Sequence, residues 1–267
     1  MTLMMTADRV QYFRGRTEPM ELIVCRDSGI SYPLHNHVSV FTAGLVLGGA
    51  VTLTLGGRSA TYGAGRAFVI PPYAPHTLQA APVYTLLTLC VRKDAAHRLR
   101  GKALRDRVLG LLDAVPGLRL TQAQTAELAR SVGLMNADPW LHFREPRLAA
   151  VERRLEVFPE RPLSVEKMAQ AAYLSKYHFI RSFQRTVGLT PHQFQIQNRV
   201  RKAQRLMEHV ESTAEVALAA GFCDQSHFIR HFEKCVGLTP SVYRASRRPL
   251  AAEEAGQFSA GMNFANR

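Results

Sequence analysis

Two stretches of this chain are nearly the same. His178–Pro191, HFIRSFQRTVGLTP, returns as His227–Pro240, HFIRHFEKCVGLTP, with ten of fourteen positions identical at an offset of 49 residues. Upstream the match continues at an offset of 48, where Ala169, Ala171, Ala172 and Leu174 align with Ala217, Ala219, Ala220 and Phe222. The second copy therefore holds one extra residue in its turn. A self-match at so short a period is one supersecondary unit written twice, and the fold must accommodate both.

Each copy reads as helix, short turn, helix. Ser164 and Ser212 are N-cap candidates, and Ser212 with Glu215 fits a capping box. Val165, Met168, Ala169 and Ala172 follow helical spacing, as do Val216, Ala217 and Ala220. The small alanines leave room for a crossing helix, and Gly221 suits a tight turn. The second helices start near Ser175 and Asp224. They present Phe179 and Phe183, or Phe228 and Phe232, on one face, and end at Gly188 and Gly237, where a left-handed terminator belongs. Thr190-Pro191 and Thr239-Pro240 restart helices, with Thr as cap and Pro in the first turn. Pro191 to His209 reads as one helix of 19 residues, about 28 Å long. Two recognition helices entering successive major grooves lie about 34 Å apart, so a rod of this length suits a bipartite DNA reader.

Gly221–Phe228 (GFCDQSHF), followed by Arg230, Phe232 and Val236–Arg244 (VGLTPSVYR), resembles the signature of AraC/XylS-family transcription regulators across about residues 147–248. The resemblance implies sequence-specific binding to double-stranded promoter DNA, commonly with activation through RNA polymerase. The family's base-reading positions fall on Tyr177, Ile180 and Arg181, and on Gln225, Ser226, Ile229 and Arg230. Arg can bond guanine and Gln adenine through paired contacts, and the two isoleucines suit thymine methyls. Lys176, Arg185 and Lys234 are placed to hold phosphates. The formal charge of +13 favours a polyanionic partner. His178 and His227 are expected to be structural, near the Phe faces.

The first third has a different rhythm. Val38–Phe41, Leu45–Leu47, Ala50–Leu55, Ala67–Ile70 and Val83–Val91 are short and rich in β-branched residues, with Gly-Gly, Gly-Ala-Gly and Pro-Pro between them. That pattern predicts hairpins in a small barrel or jelly roll. The order His35-x-His37, Gly48–Leu53, Gly63–Gly65, Ile70–Pro72 and Pro75-His76 is similar to a cupin barrel, an effector domain of many AraC-type regulators. His35 and His37, two apart on a strand, would face one side, and His76 can approach from a neighbouring strand. Three imidazoles suit Zn, Ni, Co or Fe. They also suit contact with an organic effector, the reading favoured here, or packing. Tyr84 and Cys90 join them if their strand faces inward. Metal-binding cupins usually add a Glu shortly after the second His, whereas Val38–Thr42 holds no carboxylate.

Between these halves, Leu104, Val108, Leu111, Leu112 and Val115 form an apolar helical stripe. A Thr121/Gln124 capping box opens a helix carrying Leu128, Val132 and Met135. Such a stripe serves a homodimer or packs on the chain's own barrel. Asp138-Pro139, Glu145-Pro146 and Pro162 mark a joint. No run of 18 apolar residues and no signal-like N-terminus occur, and Cys25, Cys90, Cys223 and Cys235 form no C-x-x-C pair. Neither membrane span nor disulfide framework is expected, and the location expected is the cytoplasm.

The expectation is an α+β chain. Residues 1–93 form a cupin-like barrel (jelly roll) for an effector and 94–145 a helical dimerisation and linker region. Residues 146–248 are an all-α DNA-binding domain of two helix-turn-helix units joined by a long helix, and 249–267 a flexible tail. Its function is that of a non-enzymatic transcription regulator controlled by a small molecule or metal. The alternative is a metal-dependent cupin enzyme with an appended DNA-binding domain.

Overall fold

A computed structural model describes residues 9–14, 20–99, 101–135, 146–162 and 164–249. The expected joint at Asp138-Pro139 and most of the tail lie outside the described residues. The first half is a sheet of eight strands: β1 (Val10–Arg14), β2 (Met20–Ser28), β3 (Tyr32–His35), β4 (Val40–Leu55), β5 (Arg58–Gly63), β6 (Ala67–Ile70), β7 (His76–Arg92) and, from the far end of the chain, β8 (Arg247–Pro249). Their order is β5-β4-β7-β2-β1-β8, with β3 paired to β7 and β6 to β4.

Sequence punctuation misleads in one place. Gly48-Gly49 was expected to separate strands, yet β4 runs unbroken through 16 residues. The glycines form a bulge, with register shifts against β7 on both sides. Gly49 takes φ +67°, and a Cβ there would meet the Val83 carbonyl oxygen at 2.0 Å. The pair bends a strand where a turn would have ended it. β7 likewise extends from His76 and not from Val83, and β1–β3 were not singled out in the sequence.

Alternation sets two faces. Met20, Leu22 and Val24 of β2, with Leu87, Leu89 and Val91 of β7, pack against the helices α1 (Lys93–Arg98), α2 (Lys102–Asp113) and α3 (Gln122–Leu134). The α2 stripe and Leu128, Val132 and Met135 are buried in that cluster. The stripe is therefore spent on the chain's own sheet, and a homodimer must use another surface. The Thr121/Gln124 capping box is formed as expected.

The opposite sheet face, including Cys25, Tyr84 and Leu86, shares one hydrophobic cluster with the second repeat. That repeat comprises α8 (Thr213–Ala219), α9 (Gln225–Val236) and α10 (Pro240–Ser246). The first repeat, α5 (Val165–Ala171) and α6 (Lys176–Val187), builds its own core with α4 (Pro146–Val157). The helix joining the repeats, α7, spans Pro191–Leu206, 16 residues and about 24 Å. It stops short of the expected His209 because Met207–His209 turn away. β8 pairs parallel with β1, so Pro249 belongs to the sheet and not to a tail. Beside it Tyr12 meets Tyr243 edge-on at 4.8 Å, and Glu208 bonds both Arg14 and Arg247.

Candidate functional site

The two helix-turn-helix units are built alike and finished differently. Ser164 and Ser212 cap α5 and α8 by accepting from Lys167 N and Glu215 N. Each turn closes with the same backbone bond, Leu174 N to Ala169 O and Phe222 N to Ala217 O. The residue between takes positive φ in both copies: Gly221 at +93°, and in the first copy Tyr173 at +56°. Asp224 caps α9 through His227 N at 2.7 Å, whereas Ser175 makes no side-chain cap bond. Phe179, Phe183, Phe228 and Phe232 are fully buried.

Those aromatic faces turn the opposite sides of α6 and α9 outward. Lys176, Tyr177, Arg181 and Arg185 are exposed on α6, and Gln225, Ser226, Arg230 and Lys234 on α9. Lys176 is paired with Glu166 at 2.6 Å, a surface bond that a phosphate would have to displace. Ile180 and Ile229 are half-buried against the two cores, so only part of each side chain faces out. His227 packs on Phe222 and His231 as a structural residue should, but His178 is exposed.

The second feature is a cavity of about 1050 Å³ between the inner sheet face and α7. Its wall includes His35, His37, His76, Tyr84 and Cys90. His35 ends β3 opposite His76 of β7. His37 lies past the end of β3, so the expected shared strand is not what unites the pair; the Asn36–Ser39 loop curls back instead. Ring centroids stand 4.1 Å (His35–His76), 4.8 Å (His37–His76) and 5.2 Å (His35–His37) apart. One nitrogen from each lies within 4.8 Å of the others.

Hydrogen bonds decide the tautomers. Carbonyl oxygens only accept, so His35 Nδ1 donates to Pro33 O at 2.7 Å and His76 Nδ1 to Ala74 O at 2.9 Å. Their Nε2 atoms keep lone pairs. His37 Nδ1 lies 2.6 Å from Thr42 Oγ1. Burial, and then the neighbouring His76, lowers the pKa of His35 to about 3 and that of His37 well below its usual value; burial lowers His76 as well. Three neutral imidazoles with fixed outer bonds fit a metal through its nitrogen ligands, with no carboxylate in the cluster among the described residues. Tyr84 is buried, its hydroxyl donating to Ile30 O at 3.0 Å, and burial raises its pKa. Burial also pushes the Cys90 thiol up to about 12.

The main polar group missed in the sequence is Arg201. Gln197, Arg201 and Gln204 recur at helical spacing on the cavity side of α7, but α7 is polar along most of its length, so nothing in the sequence set them apart. Arg201 bonds the Asn36 carbonyl oxygen through Nη2 and Asn198 Oδ1 through Nη1 at 3.1 Å. Asn36 is itself buried between His35 and His37, and its amide donates to Val187 O, at the end of α6, at 3.3 Å.

Residues 168–246 match the model of a helix-turn-helix domain, and residues 22–90 that of a cupin domain. Over 115 residues the chain is 28% identical to the HTH-type transcriptional regulator MtrA of Neisseria gonorrhoeae. The match takes in 43% of this chain and 38% of MtrA, so it spans well under half of that relative. Among solved structures, ToxT from Vibrio cholerae aligns over 88% of this chain and 99% of its own, with TM-score 0.58 and 12% identity. Unsaturated fatty acid-bound ToxT from the same organism aligns over 86% and 96%, with TM-score 0.57 and 12% identity. At these identities the likeness is one of fold.

Proposed function

A cupin domain and a helix-turn-helix domain of the AraC type are joined in this chain, and from that premise we propose a sequence-specific transcription regulator whose hold on DNA is set by a small molecule in the interdomain cavity. The observation that carries this is the double role of α7. One side of it lines the cavity, while its two ends connect the units whose outer faces bear Arg181 and Arg230. An occupant that shifts α7 against the sheet changes both units together. The fatty acid held by ToxT, a protein of like fold, supports a small-molecule occupant here.

In this reading Arg181, Gln225 and Arg230 read base edges, with Tyr177, Ser226, Ile180 and Ile229 beside them. Lys176, Arg185 and Lys234 hold phosphates. His35, His37, His76 and Tyr84 contact the effector. The chain works in the cytoplasm as a non-catalytic homodimer that activates through RNA polymerase. Selection from a random duplex pool tests the core of it: the wild type should enrich a two-part site with half-sites about one helical turn apart. No enrichment over the input pool would remove the proposal.

A second reading makes a divalent transition metal the effector. It is carried by the convergence of three neutral imidazoles, two of them with Nδ1 bonded to carbonyl oxygen. His35, His37 and His76 would hold the ion, which would supply Lewis-acid chemistry to a cavity ligand. Metal analysis of the purified protein, with His37→Ala as control, separates the readings.

A further inference from the structure

The turn of the second helix-turn-helix unit is closed against the entry to the first. A Cβ at Gly221 would lie 2.5 Å from Glu160 Cα and 2.9 Å from its carbonyl oxygen. Side chains of α7 hold the same segment. Gln195 Nε2 donates to Pro159 O at 3.1 Å and to Arg161 O at 2.9 Å, Arg199 Nε donates to Pro159 O at 2.8 Å, and Lys202 pairs with Glu160 at 2.9 Å. In the second unit Glu208 stands at the place of Glu160, at the offset of 48 that also relates Ser164 and Ser212. A two-fold between the units would press the first unit's turn on Glu208 in return. That turn is instead open, with Tyr173 89% exposed. The units therefore stand head to tail, and the first unit's turn faces the outer end of the pair.

Tyr173 is a poor residue for the fold where it stands. Its φ of +56° crowds any side chain, and Gly221 meets the same need in the second unit without a Cβ. A ring so exposed buries almost nothing, so packing does not offset the strain. The backbone around it is fixed, with Tyr173 N donating to Gln170 O at 3.0 Å and Leu174 N to Ala169 O at 2.9 Å. Strain kept at an exposed position points to a role outside the fold.

We propose that Tyr173 is a DNA contact, its hydroxyl donating to a backbone phosphate just beyond the stretch covered by the two recognition helices, at the first unit's end only. This rests on the regulator reading and extends it. A recognition helix meets the bases with its N-terminal residues, so the turn before α6 runs along the groove edge, where the phosphates stand. Tyrosine hydroxyls are among the donors that hold them. Lys176 and Tyr177, three and four residues on, are exposed at the same end of α6. The second unit has no counterpart, because Gly221 lacks a side chain and faces Glu160. The bound site is thus longer at one end than the base contacts require, and that asymmetry fixes the direction in which the chain sits on it.

Fluorescence anisotropy with the full-length protein and the duplex enriched from the random pool tests this. The duplex is made with both flanks, and with either flank cut back to the half-site. Wild type should lose roughly threefold to tenfold in affinity when one flank is removed, as for a lost hydrogen bond, and little when the other is. Tyr173→Phe should bind the full duplex more weakly by the same factor and become indifferent to the flank. Tyr173→Gly should do likewise while melting no lower than wild type by circular dichroism, because glycine relieves the left-handed strain. Its loss of affinity is then not a loss of fold. Tyr173→Phe binding the full duplex as wild type does, or losing as much as wild type when the flank is removed, would overturn the proposal. A pool with no enrichment removes the regulator reading and this contact with it; an enriched duplex that wild type and Tyr173→Phe bind equally removes the contact alone.

Discussion

The helix-ending glycines of the two repeats give a direct handle on how the sheet grips the helix-turn-helix units. Gly188 terminates α6 at φ +76°, and a Cβ added there would lie 2.2 Å from Pro75 Cγ and 2.3 Å from Pro75 Cβ, across the domain boundary. Gly237 terminates α9 at φ +78°, and its Cβ would meet Ile30 Cγ2 at 3.0 Å and Tyr32 Cε1 at 3.2 Å. Gly65 has nearly the same backbone, φ +81°, with nothing within 4 Å. Alanine in the left-handed region costs about 1–2 kcal/mol, so Gly65→Ala should cost that amount alone. Gly188→Ala adds a steric overlap of the overpacking kind, about 1–3 kcal/mol more. Gly237→Ala should fall between them, because its neighbours are the ends of side chains that can yield. Urea denaturation followed by circular dichroism measures all three. The overlap is with a proline ring, so Pro75→Gly in the Gly188→Ala background should recover at least about 1 kcal/mol in a double-mutant cycle. Equal losses at Gly65 and Gly188, or a coupling energy near zero, would refute the docking of the first unit on the Pro75 loop.

Arg230→Ala and Arg181→Ala should each weaken binding to the selected DNA by about 1–3 kcal/mol, roughly tenfold to a hundredfold; fluorescence anisotropy reads this, and wild-type affinity in both variants would contradict the reading. Asp224→Ala should cost about 1 kcal/mol for a lost cap and Ser175→Ala less, since Ser175 makes no cap bond; equal losses on urea titration would count against the difference between the copies. His35, His37 and His76 are held neutral when folded and take up protons near pH 6.5 when unfolded. The stability they contribute is complete above that pH and falls as pH drops toward their depressed folded values, by at most about 2 kcal/mol per histidine at pH 5. The unfolding free energy of His37→Gln should thus fall less steeply between pH 8 and 5, and identical slopes would sink the argument. Cobalt(II) titration followed by visible absorption should show stoichiometric binding lost in His37→Ala if the metal reading holds; no binding by wild type removes that reading.

The residues alone determined what depends on near neighbours. The repeat, the caps at Ser164 and Ser212, the buried Phe pairs and the glycine stops all arise within one or two turns of helix, where 3.6-residue periodicity and capping chemistry act. The second helices of both repeats and their exposed arginines were legible for that reason. What only tertiary structure decided depends on which surfaces meet. The α2 stripe was equally suited to a partner subunit or to the chain's own sheet, since an apolar face does not specify what covers it; the packing chose the sheet. Gly48-Gly49 became a bulge because the Val83 carbonyl presses on it from a strand more than thirty residues away. The three histidines pointed to a site, but the curl that brings His37 to His76 lies in a loop and follows no strand periodicity. Arg201 looked like one more charge on a connecting helix. Only the approach of Asn36, 165 residues earlier in the chain, gave it a half-buried environment with uncharged hydrogen-bond partners, because desolvation depends on what folds over a residue and not on what precedes it.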